Sequence, residues 1–255
     1  MEALGQDSLR RAVLGAGIEV EPVWFEETGS TNSDALRLAD GGAPEWTVVA
    51  TGHQTAGRGR IDRSWNDAPG SSLLVSVVLR PKLPPEQAPL LSLLAAVAMI
   101  EACQLPAMRS KWPNDLTVGD RKTGGILAEA SVSDGAVRHV VLGLGLNVSS
   151  SGLPGDRAST SLAAEGADPD PERILRDYLS EFFDAYTGPK FPGSIVPRYT
   201  TICATLGRRV RARLTADEDV EGEARGLDDT GALLVETEDG TRAVSFGEVV
   251  HLRPL

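Results

Sequence analysis

Hydrophobic positions along the chain change period several times, and each change marks an element. Residues 1–20 carry weak helical amphipathicity and read as a short helix. From Val23, VWFEETGSTNSDALRLAD reads as a strand that runs into a turn. Ser30, Thr31, Asn32 and Ser33 are all helix N-cap residue types, and the residues from Asp34 onward carry helical spacing. Two β-rich apolar runs follow, WTVVAT at 46–51 and SLLVSVVLR at 72–80. Between them, residues 53–71 are too polar and glycine-rich for regular structure and predict a long loop. Loops of that length inside a domain usually carry function.

Residues 86–103 are apolar nearly all round, which predicts a helix buried in the core. Strand-like runs occupy 125–132 and 138–148, and 149–160 reads as a mobile loop. Residues 171–186 have Pro171 at the first turn and apolar residues at helical spacing. From about residue 207, short alternating runs are separated by Asp-Asp-Thr-Gly and Glu-Asp-Gly turns. These predict a small all-β unit of roughly five strands, a barrel. No internal repeat is present.

Composition narrows the function classes. At 255 residues the chain has room for one catalytic domain and a small appended module. Its net charge of −11 argues against a body that grips nucleic acid through a basic face. No run of 18 apolar residues occurs and the N-terminus is charged, so neither a membrane span nor export is expected. Two cysteines, Cys103 and Cys203, stand far apart and read as reduced thiols of a cytoplasmic protein.

Against that acidic background a locally basic segment is informative. Residues 53–65 hold three arginines, Arg58, Arg60 and Arg63, against one aspartate. Three guanidinium forks suit bidentate phosphate contacts. Gly57 and Gly59 allow positive φ and a close backbone approach to a ligand, and Trp65 offers a stacking face. A solvated basic turn or an RNA-binding segment would look the same. A second segment, Lys111-Trp-Pro-Asn-Asp-Leu116, is followed by Lys122-Thr-Gly-Gly-Ile-Leu127. Pro113, Asn114 and Asp115 favour a turn, so Lys111 and Lys122 stand at the two ends of a hairpin-like connection. They could converge on one anion, with Gly124 and Gly125 leaving space for a flat substrate; an ordinary hairpin with surface lysines fits as well. The third segment, Gly143-Leu-Gly-Leu-Asn147, has Val148 where a dinucleotide fingerprint needs its third glycine, and no P-loop sequence occurs. His53, His139 and His251 lack metal-ligand spacing, and no Gly-x-Ser-x-Gly elbow is present. Of the three, His53 precedes Gln54 and is placed to shape a pocket.

Taken together, GRGRIDRSW, KWPNDL, KTGGILAE and GLGLNV, in this order, resemble the signature segments of biotin–protein ligases. The resemblance covers residues 22–162 closely, and the tail resembles that family's SH3-like C-terminal domain. It implies an α+β architecture: a class II synthetase-like catalytic domain, a mixed sheet flanked by helices, over 21–204, with an all-β unit over 205–255. A short helix would occupy 1–20. The implied reaction activates biotin with ATP and Mg²⁺ as biotinyl-adenylate. It then transfers the biotinyl group to a lysine of a biotin carboxyl carrier protein. By the same resemblance Ser30, Thr31, Asn32, Gln54, Arg58, Gly59, Arg60 and Lys122 line the biotin site, with Gly125 and Gly143 as a wall. Arg58, Arg60, Arg63, Lys111 and Asn114 meet the nucleotide, and Trp65 and Asn147 hold adenine. Arg60, Lys111, Asp115 and Lys122 carry the catalysis, and Mg²⁺ rides on the phosphates without a protein cage.

Some members of the family carry an N-terminal winged helix and repress transcription. Here Ser30 leaves 29 residues upstream, room for two helices at about 11–12 residues each, which implies the monofunctional type with no DNA role. The rival readings are a lipoate–protein ligase or octanoyltransferase, and, from another class, an RNA-binding or SH3-like adaptor. GRGR together with KWPND favours biotin over the first, and the acidic body speaks against the second.

Overall fold

A computed structural model describes residues 3–61, 63–150, 153, 158–214, 218–245 and 247–252. Half of the expected mobile loop at 149–160 therefore lies outside the described residues. In chain order, the first part of the fold comprises α1 (Gln6–Gly15), β1 (Val23–Phe25), α2 (Thr31–Asp40), β2 (Val48–Thr51), β3 (Gly57–Arg58), β4 (Ser64–Trp65), β5 (Ser72–Leu79) and α3 (Leu90–Cys103). It continues with β6 (Met108–Lys111), β7 (Asp115–Val118), β8 (Arg121–Ser133), β9 (Ala136–Asn147), α4 (Pro171–Thr187) and α5 (Ile195–Ile202). The last part is all strand: β10 (Arg209–Arg213), β11 (Asp219–Leu227), β12 (Leu233–Thr237), β13 (Gly240–Val244) and β14 (Glu248–His251).

Seven strands form the larger sheet in the order β1-β2-β5-β9-β8-β7-β6. The β1–β2 pair is parallel and the other pairs are antiparallel, so the sheet is mixed. Its two faces follow directly from the period of two. Leu73, Val75, Val77 and Leu79 on β5, and Val140, Leu142, Leu144 and Leu146 on β9, join the main core under α1, α3 and α4. On the opposite face Val49, Val78 and Val141 pack against Ala35 and Ala39 of α2. Along β9 that second face continues as Gly143 and Gly145. Asn32 at the start of α2 lies over Gly143, Gly145 lies under Trp65, and this end of the face is left as a floor.

Twelve of the fourteen residues of α3 are buried, which explains a helix with no polar side. Each leucine so buried contributes roughly 1.5–3 kcal/mol. Together with the preceding turn, Pro85–Cys103 is long and apolar enough to cross a membrane, but most of it is buried inside the fold. Helix α4 begins as its sequence predicts: the Asp170 carboxylate accepts from the Glu172 and Arg173 amides at 3.1 Å each, and Pro171 follows at the first turn. The C-terminal strands form a separate antiparallel sheet, β13-β12-β11-β10-β14.

Three local features differ from the sequence expectations. Residues 53–71 are not wholly irregular, because β3 and β4 pair as a short hairpin, Gly57 with Trp65 and Arg58 with Ser64. Gly57 and Gly59 do not adopt positive φ; Ile61 does, at 52°. Gly57 is required by its neighbour instead, since a Cβ there would lie 2.5 Å from the Trp65 carbonyl oxygen. The α2 N-cap position is Ser30, as the residue types predict, yet its side chain makes no capping bond. The capping oxygen comes from Gln54, whose Oε1 accepts from the Thr31 amide at 2.8 Å and from Thr31 Oγ1 at 3.2 Å.

Candidate active site

The half-covered sheet face, the arginine loop and the β6–β7 turn enclose a cleft. Its floor is β9 and β8. A Cβ on Gly143 would sit 1.9 Å from Asn32 Oδ1, and one on Gly145 would sit 2.8 Å from Cε2 of Trp65. Two glycines two residues apart thus admit two different groups: the amide of α2's first turn at one end and the indole ring at the other. Asn32 is fixed on three sides. Its Nδ2 donates to Glu129 Oε2 at 2.8 Å and to the Leu127 carbonyl at 3.2 Å, while Ser76 Oγ donates to its Oδ1 at 2.6 Å.

Lys122 reaches the cleft because of a β-bulge. Leu116 pairs with Gly124 and Thr117 pairs with Lys122, so Thr123 is an extra residue in β8. That insertion puts Lys122 on the same face as Gly125, where a Cβ would lie 3.3 Å from Lys122 Nζ. Without the bulge, positions three apart on a strand would face opposite ways.

Among the described residues, five cations line the cleft, Arg58, Arg60, Arg63, Lys111 and Lys122, against two carboxylates, Asp115 and Glu248. The chain concentrates positive charge here despite its net charge of −11. Three of the five have resident carboxylate partners. Lys122 Nζ lies 2.6 Å from Asp115 Oδ1, Arg58 lies 2.6 Å from Glu129, and Arg63 pairs with Glu248 of the C-terminal sheet. Arg60 has no such partner among the described residues; its guanidinium donates to Asn114 Oδ1 at 3.4 Å. Burial pushes the Arg60 pKa down from its ordinary value, and the nearby Asp115 charge opposes the shift. Arg60 remains a guanidinium at neutral pH.

The C-terminal unit takes part in this site through more than Glu248. Gly247 and Val249 also line the cleft. Trp112, 2% exposed, donates its indole N–H to the Gly231 carbonyl at 3.0 Å, and its amide donates to Thr205 Oγ1 at 3.0 Å. His251 meets the same hydroxyl at 3.0 Å. Burial pushes the His251 pKa down to about 4, with the Lys111 and Arg208 charges adding to the shift. The β6–β7 turn is thus clamped between the two sheets.

Of the residues singled out from the sequence, Ser30, Thr31, Asn32, Gln54, Arg58, Gly59, Arg60, Arg63, Trp65, Lys111, Asn114, Asp115, Lys122, Gly125 and Gly143 all line the one cleft. Asn147 does not; its side-chain amide donates to the Thr160 carbonyl at 3.0 Å and ties down the loop that follows β9. The sequence reading missed Ser76, Glu129, Gly145 and Glu248. Glu129 was accessible to it, because it falls in step with Gly125 and Leu127 along β8. Glu248 carried no signal, since only the docking of the second sheet brings it near Arg63. The site so built can hold two anionic groups beside an aromatic face.

The comparisons with known proteins agree with this architecture. Residues 25–147 match the Biotin/lipoate A/B protein ligase family, and residues 205–252 match the biotin protein ligase C-terminal domain. The chain is 37% identical over 263 residues to the biotin–[acetyl-CoA-carboxylase] ligase of Mycobacterium tuberculosis, covering 98% of this chain and 96% of that one. It is 34% identical over 251 residues to the bifunctional ligase/repressor BirA of Bacillus spizizenii, covering 94% and 76% respectively. The solved structure of biotin protein ligase from Aquifex aeolicus in complex with biotin and ATP superposes with a TM-score of 0.69 at 26% identity, over 91% of this chain and 99% of that one. With cleft, sheet order and both sequence matches in accord, the chain belongs to the biotin protein ligase family.

Proposed function

We propose that this cleft joins the carboxylate of biotin to the α-phosphate of ATP, releasing pyrophosphate, and passes the biotinyl group to a lysine of a biotin carboxyl carrier protein. The observation that carries the proposal is the gathering of five cations and one indole ring around a glycine floor. A carboxylate like that of biotin is already ionised at pH 7, near the ~4.3 of glutamate, so no protein base is needed to make the nucleophile. The obstacle is the mutual repulsion of two anions, and fixed cations in a partly desolvated cleft remove it.

Biotin's bicyclic head fits the end framed by Ser30, Thr31, Asn32, Gln54 and Gly143. Arg58 belongs to that end as well, because it shares Glu129 with Asn32. Lys122 receives the carboxylate and exchanges its resident partner Asp115 for it. Arg60 and Lys111, which have no ion-pair partner among the described residues, meet the phosphates first, and Arg63 joins them when it leaves Glu248. Trp65 stacks the purine against the Gly145 end. Asp115, freed from Lys122, is placed to assist the acceptor lysine, which starts near pKa ~10.4, in losing its proton.

No group of three or more His, Cys, Asp or Glu among the described residues forms a protein metal cage. Asp115 and Glu248 are each already paired with a cation. This donor set suits a Mg²⁺ that arrives on the nucleotide, where it would supply charge neutralisation on the phosphates. The same reading divides the chain into a catalytic part over 21–204 and a C-terminal part over 205–255. It gives no DNA role to the helix at 1–20, because α1 packs onto the catalytic part: Leu9, Ala12 and Val13 are buried, and Arg11 pairs with Glu172. The test is ATP–pyrophosphate exchange. It should depend on biotin and not respond to lipoate, and exchange driven by lipoate instead would overturn the assignment.

A further inference from the structure

His53 and Asp67 stand outside the cleft, fourteen residues apart, with His53 Nδ1 2.9 Å from Asp67 Oδ2. They sit at the two ends of the arginine loop. The Asp67 side chain has no solvent exposure, and its second oxygen, Oδ1, is buried without a hydrogen-bond partner among the described residues. A buried carboxylate with a single partner is costly unless that partner is held firmly, because a lost contact leaves a desolvated charge. His53 is so held. Its carbonyl accepts from the Thr28 amide at 3.1 Å and from Thr51 Oγ1 at 2.9 Å. The next residue, Gln54, caps α2 at the biotin end, while Asp67 follows Trp65 of the purine end by two positions. One further bond crosses the loop base, from the Gly70 amide to the Gly52 carbonyl at 2.9 Å.

We propose that His53 and Asp67 form a positioning pair that closes the base of the arginine loop. It fixes the separation of Gln54 and Trp65 across the cleft, so that a bound adenylate is retained. Neither residue touches substrate. Their effect passes through the loop, and it rests on the reading of the cleft as a biotinyl-adenylate site. The Trp65 indole Nε1 is itself buried without a partner among the described residues, so the angle of that ring rests on backbone anchorage at 64–67 and on packing against Gly145, with no hydrogen bond to hold it.

The experiment compares wild type with His53→Ala, Asp67→Ala, the double variant and His53→Asn. It measures the KM for ATP, kcat of single-turnover adenylation, the half-life of enzyme-bound biotinyl-adenylate without acceptor, and Tm. Each alanine variant should raise the KM for ATP and shorten adenylate retention by about 10-fold, the factor for ~1.4 kcal/mol, with kcat at saturating ATP retained. The double variant should be no worse than either single one, because both remove the same contact. His53→Asn, whose amide nitrogen stands where the ring Nδ1 does and can donate in its place, should recover most of the retention. Losses that add in the double variant overturn the pair, as does a lowered Tm with retention and KM untouched, or a His53→Asn that behaves like His53→Ala. Wild-type protein that forms no adenylate overturns the reading of the cleft and the pair's role with it. Variants that retain adenylate as well as an active wild type overturn the pair alone.

Discussion

Gly145→Ala places a single methyl group beneath the indole of Trp65. Its Cβ would lie 2.8, 2.9 and 3.0 Å from the ring atoms Cε2, Cζ2 and Cδ2. Ordinary carbon–carbon contacts are about 3.5–4.0 Å, so the ring must lift by roughly 0.7 Å into the cleft. Gly145 does not have positive φ, so alanine brings no backbone strain there. Stacking of a base on an aromatic ring is worth about 1–3 kcal/mol when the ring is deleted. Here the ring is displaced rather than lost, so about 1–2 kcal/mol is expected, a 5- to 30-fold rise in the KM for ATP. Biotin affinity, measured by calorimetry without nucleotide, should not change. Gly143→Ala is the opposite control. Its Cβ would collide with Asn32 at 1.9 Å, so it should weaken biotin binding before it affects ATP. A Gly145→Ala variant that lost biotin affinity as much as ATP affinity, or neither, would refute the division of the floor.

Four further outcomes follow from the same geometry. Lys122→Ala should weaken biotin binding by about 10- to 150-fold, the cost of a lost hydrogen bond to a charged group, and calorimetry that gives the wild-type Kd would remove Lys122 from the biotin site. Arg60→Ala should slow single-turnover adenylation and release adenylate to solution faster than acceptor protein consumes it; normal adenylation with lost biotin affinity would contradict the assignment of Arg60 to the phosphates. Trypsin should cut after Arg58, Arg60 or Arg63 in the free protein and less readily once adenylate is bound, and equal cleavage in both states would count against loop closure. His251 is held neutral by burial, with a folded pKa of about 4 against an ordinary 6.5, so the unfolded chain binds the extra proton in that window. Stability should therefore be fully present above pH 6.5 and fall as pH drops toward 4. Thermal melts of His251→Gln that show the same acid slope would exclude this residue as its source.

Much of the site was legible in the sequence because its parts are local. GRGR, KWPND and KTGG each put charge, turn and small residue within a few positions, and the fold needed only to bring the three together. The apolar, β-rich runs at 72–80 and 138–148 likewise gave the buried strands β5 and β9. What escaped was whatever depends on contacts distant in sequence. The three arginines read as forks for phosphate, with no sign that two of them already have carboxylate partners: Glu129 lies 71 residues from Arg58 and Glu248 lies 185 residues from Arg63. The bulge at Thr123 was hidden too, because a one-residue shift in strand pairing leaves no mark on composition. Ser30 to Ser33 marked where α2 begins but not that Gln54, 23 residues from Thr31, supplies its cap. Helix α5 was not anticipated at all.

On the proposed function, one cleft makes a mixed anhydride from biotin and ATP and holds it for a protein acceptor. To see this, the protein is mixed with biotin and Mg·ATP, free ligand is removed rapidly, and the protein-bound fraction is analysed by mass spectrometry. Bound biotinyl-adenylate should be found near one per chain, with matching pyrophosphate release, and should disappear as AMP and biotinylated lysine when a carboxyl carrier domain is added. Bound biotin and ATP that remain unreacted, or an adenylate formed from lipoate but not from biotin, would contradict it.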